Sequence, residues 1–453
     1  MRTSPEWRRR RGIITLMVHM SSPTVRTDGD QVVVESEVQG GVSGPLWYRL
    51  PARVSPSAEA AADALFPVGL IYAMKTDGVL RLDAPVSPSI VEHVEQIQDI
   101  LLAWHGDELR RAEIDVEERS IEVKDESSRS ERTAACFTGG VDSFYSLLKN
   151  QSEVSSLVFV HGFDIPLTRQ DAYDATAVHL REVARSAGKD LIEISTNLKP
   201  YSKPLSWSHI THGTALASIG MMLSAEYGTL VVPATRTYAD LSPWGSHPLL
   251  DPLWSTEHVD IVHDGAEATR LQKVLALEES ELALNHLRVC WKNTGKYNCG
   301  VCEKCYRTKI SLRLTGHPEK FVTFDSALDL KKVARTRISS TGRLSTAVEH
   351  RAYANEVGDL ELRDALDASI RSYHKRLGAD VGMAKEDEAA LRAENQDLRT
   401  RIKKVRADRT RLRKEVRQLR SEVAGLRGRK SVKAADRLGR VVRSLPGMKP
   451  KSS

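Results

Sequence analysis

Two stretches of the sequence carry residues whose types and spacing could do chemistry. The first is Cys136-Phe137-Thr138-Gly139-Gly140-Val141-Asp142-Ser143, lying between a strand-like and a helix-like run. Small residues at such a junction let backbone N–H groups approach an anion, and the helix that follows presents the positive end of its dipole. Gly139, Gly140 and Val141 would supply the amides, while Thr138 and Ser143 add hydroxyl donors. Asp142 repels a bare anion but suits a site that also holds Mg2+. No Lys-Ser or Lys-Thr pair follows the glycines, which excludes the P-loop of kinases and GTPases.

The second stretch holds four of the five cysteines, Cys290, Cys299, Cys302 and Cys305, within 16 residues. Four thiolates close a tetrahedral zinc site, and two Cys-x2-Cys steps sharing a residue also permit an iron–sulfur cluster. A closed four-thiolate zinc site has no open position for water and is therefore expected to be structural. Cys136, the remaining cysteine, sits on the strand that leads into the glycine loop.

Other polar residues fall where ligands could reach them. His161 and Asp164 end the strand-like run SSLVFVHGFD, and Gly213 opens a helix at a point where backbone could approach a nucleotide. The mixed loop from Thr235 to Asp251 offers Tyr238, Asp240, Trp244, His247 and Asp251 for substrate recognition. Arg270 and Lys273, three apart on an expected helix, would turn one cationic face toward an anion.

From Ala134 the chain alternates strands (TAACF, SSLVFV, DLIEIS, TLVVPA) with helices at 143–149, 171–187 and 209–227. That order predicts an α/β fold, a parallel sheet with helices on both faces, and ligands at the carboxyl ends of its strands. Upstream, QVVVESEV, LWYRLPARV, an Ala-rich helix from Ala58 to Met74, GVLRLDAPV, a helix opened by Ser87-Pro88 and AEIDVEE read as a small α+β domain. The expected boundaries are a disordered extension at 1–28, the α+β domain at 29–120, a linker at 121–132 and the nucleotide domain at 133–325. A helical region at 326–385, a coiled coil at 386–428 and a basic tail at 429–453 would follow.

Leu391, Leu398, Val405, Leu412, Leu419 and Leu426 fall at seven-residue spacing, with Asn395, Ile402, Arg409, Val416 and Val423 on the second apolar seam. Such heptads predict a parallel homodimer. From Arg399 to Ser453 there are 20 Lys and Arg against 4 Asp and Glu, whereas the rest of the chain is net negative. A nucleic acid or an anionic membrane is the partner that this tail would attract. No apolar run approaches the ~20 residues of a membrane span, and the expected location is cytoplasmic.

The loop Thr138–Ser143 resembles the Ser-Gly-Gly-x-Asp-Ser fingerprint of the PP-loop (N-type ATP pyrophosphatase) superfamily, with Thr in place of the first Ser. Together with VCWKNTGKYNCGVCEKCYRT, the region from about 133 to 315 is similar to the 7-cyano-7-deazaguanine synthase family, while the flanking segments have no counterpart there. The resemblance implies ATP bound by residues 138–143, Mg2+ near Asp142, zinc on the four cysteines and Lys273, with Arg270, at the phosphates. It also implies adenylation of a small-molecule carboxylate with release of pyrophosphate. A sulfur-carrying or glutaminase relative would need a further nucleophilic thiol, so ammonia or an amine is the expected second substrate. Binding or modification of nucleic acid, and nucleotide binding without turnover, are the competing expectations.

Overall fold

A computed structural model describes residues 17–40, 43–76, 78–120, 129–201, 203–292, 296–325 and 327–378, with a few isolated positions beyond. Its strands are β1 (Met17–Met20), β2 (Thr24–Asp28), β3 (Gln31–Gln39), β4 (Gly44–Pro51), β5 (Val79–Leu82), β6 (Glu113–Asp115), β7 (Thr133–Cys136), β8 (Val154–His161), β9 (Asp190–Thr196), β10 (Thr229–Pro233) and β11 (Asp260–Asp264). All eleven join one mostly parallel sheet in the order β11-β10-β7-β8-β9-β4-β3-β1-β5-β6, with β2 paired to β3. Residues 17–28, expected to be an extension, instead form β1 and β2. β1 lies between β3 and β5, with Val18 and Met20 fully buried.

The helices are α1 (Ala58–Thr76), α2 (Pro88–His105), α3 (Val141–Lys149), α4 (Gln170–Ser186), α5 (Leu198–Tyr201), α6 (His212–Met222), α7 (Arg270–Leu277), α8 (Glu281–His286), α9 (Glu303–Leu314), α10 (Leu330–Ala334) and α11 (Thr341–Glu356). Residue alternation along the strands sends side chains to two separate cores. Ala134, Cys136, Val158, Val160, Leu230 and Val232 join the core that holds α1, α2 and α6 residues. Ala135, Leu157, Phe159 and Val231 join the other, with α3, α4, α7 and α8. Helices thus cover both faces.

The antiparallel pairing of β4 with β9 makes the two halves one sheet, with Tyr48 opposite Thr196. Side chains reinforce that seam. Thr196 Oγ1 donates to the Trp47 carbonyl at 2.8 Å, and the Trp47 amide donates to Asn197 Oδ1 at 2.9 Å. Behind it, Ser218 Oγ donates to the Ala64 carbonyl at 2.6 Å and lies 2.8 Å from Tyr48 Oη, tying α6 to α1. Residues 29–120 and 133–325, read from sequence as successive domains, accordingly belong to one compact unit that runs to Ile370.

A second unit comprises Arg371–Ser453. The heptad segment 386–428 and the tail 429–453 lie outside the described residues, apart from isolated positions. Among the described residues no helix is long and apolar enough to cross a membrane.

Around β7 the chain visits β7, β8 and β9 in one direction across the sheet, then returns to place β10 and β11 on the other side. The order reverses between β7 and β10. In open α/β sheets the crevice at the carboxyl ends of the strands at such a reversal is where ligands bind. The glycine loop leaves β7 at that point.

Candidate functional site

The loop from Phe137 to Gly140 turns the chain from β7 into α3. Gly139 has φ +73°, a conformation that costs a residue with a Cβ, and an added Cβ would come 3.1 Å from Leu180 Cδ2. Ser143 Oγ donates to the Gly140 carbonyl at 3.1 Å and lies 3.4 Å from the Thr138 amide, so this hydroxyl closes the loop on itself. From below, the Arg288 amide donates to the Gly139 carbonyl at 2.7 Å. Gly140 caps α3 with no side-chain hydrogen bond, leaving the amides of the first turn directed at whatever occupies the crevice.

Cations converge on that helix start. Arg270 Nη1 lies 3.1 Å from Asp142 Oδ2, and Lys273 Nζ lies 3.3 Å from Asp142 Oδ1. Lys273 is 2% exposed, and its ammonium also donates to the Ala234 carbonyl at 2.7 Å, just past β10. It therefore spans the reversal between β10 and α3. Thr269 fixes α7 through a capping box with Gln272, which sets the direction of Arg270 and Lys273. Burial pushes the Asp142 carboxyl up, but Arg270 and Lys273 more than offset it and hold the group below the usual carboxylate range.

A third cation, Arg307, comes from the second turn of α9. Burial and then repulsion from Arg270 push its guanidinium down to about 10. Glu303 Oε1 is 3.9 Å from Arg307 Nη1, and Arg343 Nη2 of α11 donates to Glu303 Oε2 at 2.9 Å. The cluster thus holds four cations against Asp142 and Glu303. Glu349 nearby is pushed up by burial and accepts the Thr269 hydroxyl.

Asp164 lies exposed just beyond the carboxyl end of β8, the strand beside β7. Local desolvation raises its carboxyl, yet the charges of Lys304, His212, Arg288 and Lys199 outweigh that and leave it lowered. Lys199 donates to the Phe163 carbonyl at 2.6 Å and lies 4.9 Å from the Trp207 ring centre. Both carboxylates of the crevice are therefore outnumbered by cations, as an anionic ligand requires.

The four cysteine sulfurs lie within 4.8 Å of one another. Zinc–sulfur bonds of about 2.3 Å in a tetrahedron place sulfurs roughly 3.8 Å apart, and the Cys299 and Cys305 sulfurs are 3.9 Å apart. The Cys302 amide donates to Cys299 Sγ at 3.2 Å, and the Cys305 amide to Cys302 Sγ at 3.5 Å. Gly300, at φ +70°, makes the turn between them. Asn298 completes the support, its Oδ1 accepting from Val289 at 2.9 Å and its Nδ2 donating to the Leu287 carbonyl at 2.8 Å. These residues could hold a metal such as zinc. A four-iron cluster would spread the thiolates further apart.

Several residues singled out from the sequence are engaged in the fold. His161 is buried, with Nε2 3.1 Å from the Pro166 carbonyl oxygen and its ring stacked on Tyr173. Asp251 is 1% exposed between Ser246 Oγ and His263 Nδ1, each 2.7 Å away, and also accepts from the His247 amide at 3.1 Å. His247 packs edge-on against Trp104. These two residues shape the loop from inside rather than reach outward from it. Tyr238 is 60% exposed, while Trp244 is partly covered by Arg236, whose guanidinium also lies 4.0 Å from Asp240.

Gly213 sits at a close backbone approach. A Cβ there would stand 2.1 Å from the Gly245 carbonyl oxygen and 2.8 Å from Asp251 Oδ1. Gly213→Ala is expected to destabilise the protein by about 2–3 kcal/mol through this overpacking, measured as a lower denaturation midpoint. An unchanged midpoint would contradict the contact.

Lys304, Arg307, Arg288 and Arg343 are site residues that the sequence reading passed over. Two of them carried a signal, since Lys304 and Arg307 sit three apart in CEKCYRT, near the start of a helix opened by Cys302. Comparisons with protein families, with curated proteins and with solved structures find no match to this chain.

Proposed function

We propose that the chain is an ATP-dependent ligase or synthase of the PP-loop type, which cleaves ATP between its α- and β-phosphates to activate a carboxylate. The observation that carries this reading is a glycine loop with an uncapped helix start, at the sheet's reversal point, facing Arg270 and Lys273. In this reading the amides of Gly140, Val141 and Asp142 receive phosphate oxygens, with the helix dipole favouring their charge. Lys273, held by Ala234 and Asp142, is positioned to neutralise charge that grows on the leaving pyrophosphate.

A substrate carboxylate oxygen would attack the α-phosphorus as the bond to the β-phosphate breaks and pyrophosphate departs. Ammonia or an amine would then attack the acyl carbon, expelling AMP and losing a proton. Asp142, with 23% of its side chain exposed, would be the carboxylate that holds Mg2+. When bound, Mg2+ would supply charge neutralisation at the phosphates. The loop carrying Tyr238, Asp240 and Trp244 is the nearest candidate for choosing the acceptor. Zinc on the four cysteines would be structural, fixing the start of α9.

Incubating the protein with ATP, Mg2+ and a small-molecule cell extract should yield an AMP-linked acid detectable by mass spectrometry. Failure of every extract fraction to give either this adduct or free AMP would count against the proposal.

A further inference from the structure

The Nε–H groups of Arg270 and Arg307 are both buried and have no hydrogen-bond acceptor among the described residues. A buried donor without an acceptor costs on the order of 1–3 kcal/mol, more where the group is charged. The two donors come from α7 and α9, which pack against one another. Unpaired charged donors do not help the fold in the absence of a ligand, and an anion placed between the two satisfies both. Among the described residues, the carboxylates within 4.0 Å of them are already shared: Asp142 also meets Lys273, and Glu303 also takes Arg343.

Each arginine sits where it cannot easily withdraw. Arg270 is the first residue of α7, directly after the capping residue Thr269, and Arg307 lies two residues beyond Cys305, where the second turn of α9 begins. Both helix starts are pinned, one by the capping box and the other by the cysteine knuckle. A pair of guanidinium groups fixed from two helices suits an anion with oxygens on more than one centre, because each fork can take a separate group. The cluster reaches the start of α3 through the Arg270–Asp142 contact.

We propose that Arg270 and Arg307 form a pincer for a diphosphate unit, the β- and γ-phosphates of ATP and then the pyrophosphate formed from them. This rests on the ATP reading of the glycine loop and assigns Arg307 as a further ligand-binding residue. The four-cysteine knuckle then has a functional consequence, since it sets the position of one jaw.

The test is calorimetric titration of ATP and of pyrophosphate, each with Mg2+, into the wild type, Arg307→Met and Arg307→Lys, with melting temperatures of the free proteins. Arg307→Met is expected to weaken both ligands by about 10- to 100-fold, the worth of one or two charge-assisted hydrogen bonds. Its unliganded melting temperature should be unchanged or higher, because a charged group with an unpaired donor is gone. Arg307→Lys should fall between the two in affinity, keeping the charge but losing the fork. If Arg307 only braces Glu303, Arg307→Met will melt lower and bind both ligands as the wild type does, which overturns the pincer and leaves the ATP reading standing. If the wild type binds neither ATP nor pyrophosphate, the ATP reading fails and the pincer with it.

Discussion

Replacing Cys305 with Ser, or stripping metal with a strong chelator, is expected to lower the melting temperature by about 10 °C or more and to abolish nucleotide binding. Cys290, Cys302 and Cys305 are buried in the same core as Phe321, Phe324 and Leu312, so the knuckle is continuous with the packing beneath α8 and α9. Structural zinc sites contribute folding free energy outright, and in a unit of this size a loss of several kcal/mol corresponds to a shift of that order. The binding loss follows from position. The Tyr297 hydroxyl donates to the His286 carbonyl at 2.9 Å, and Thr323 Oγ1 donates to the Leu287 carbonyl at 2.6 Å. One residue further on, the Arg288 amide holds Gly139. Disordering the knuckle would therefore release both the floor of the glycine loop and the α9 cations. Elemental analysis of the purified protein together with melting curves checks this. A metal-free protein whose melting temperature ignores Cys305→Ser would refute it.

Asp142→Asn should produce the second large effect, a loss of turnover of about 1,000-fold or more with little loss, or even a gain, in affinity for pyrophosphate measured without Mg2+. The direction follows from the charge count at the loop. Removing the carboxylate leaves Arg270 and Lys273 without their shared counter-ion, so a bare anion is welcomed more strongly. What disappears is the acidic oxygen that would hold Mg2+ at the phosphates, and with it charge stabilisation that matters most in the transition state. A purely structural Asp142 would instead give a less stable protein whose turnover per folded molecule and Mg2+ dependence are unaltered. Steady-state kinetics over a range of Mg2+ concentrations, with melting curves alongside, separates the two.

How much of this was legible in the sequence depended on whether a feature was local. Ser87-Pro88 announced the start of α2, and the structure places Ser87 as its cap with the hydroxyl accepting from the Ile90 amide. The strand-glycine-helix junction at 136–143 and the cysteine spacing were equally local, as was the pairing of Arg270 with Lys273 across less than one helical turn. Arg307 was missed because a charged residue on a charge-rich helix reads as solvated, and only the fold reveals that it is half-buried with its Nε–H enclosed. Asp251 and His247 were read as substrate contacts because polar residues in a long loop resemble recognition groups. Nothing in the sequence indicated that His263 on β11 would take up Asp251.

The sheet's continuity was the least legible feature. β4 and β9 are joined through residues about 150 positions apart, by pairings such as Tyr48 with Thr196 that depend on register rather than on any local pattern. β1 escaped notice because four residues following a basic stretch give too short an alternation to register as a strand. The parallel pairings of β7 with β8 and with β10 place its carboxyl end at the reversal of strand order, and that placement gives the two glycines their significance.

The most direct test of the central claim is to follow which bond of ATP is cut. With ATP labelled separately at the α- and γ-phosphates, and with Mg2+, an amine source and an acceptor-containing extract, the account predicts labelled AMP from the first and labelled pyrophosphate from the second in equal amounts. Labelled ADP and inorganic phosphate as the primary products, insensitive to Asp142→Asn, would contradict it.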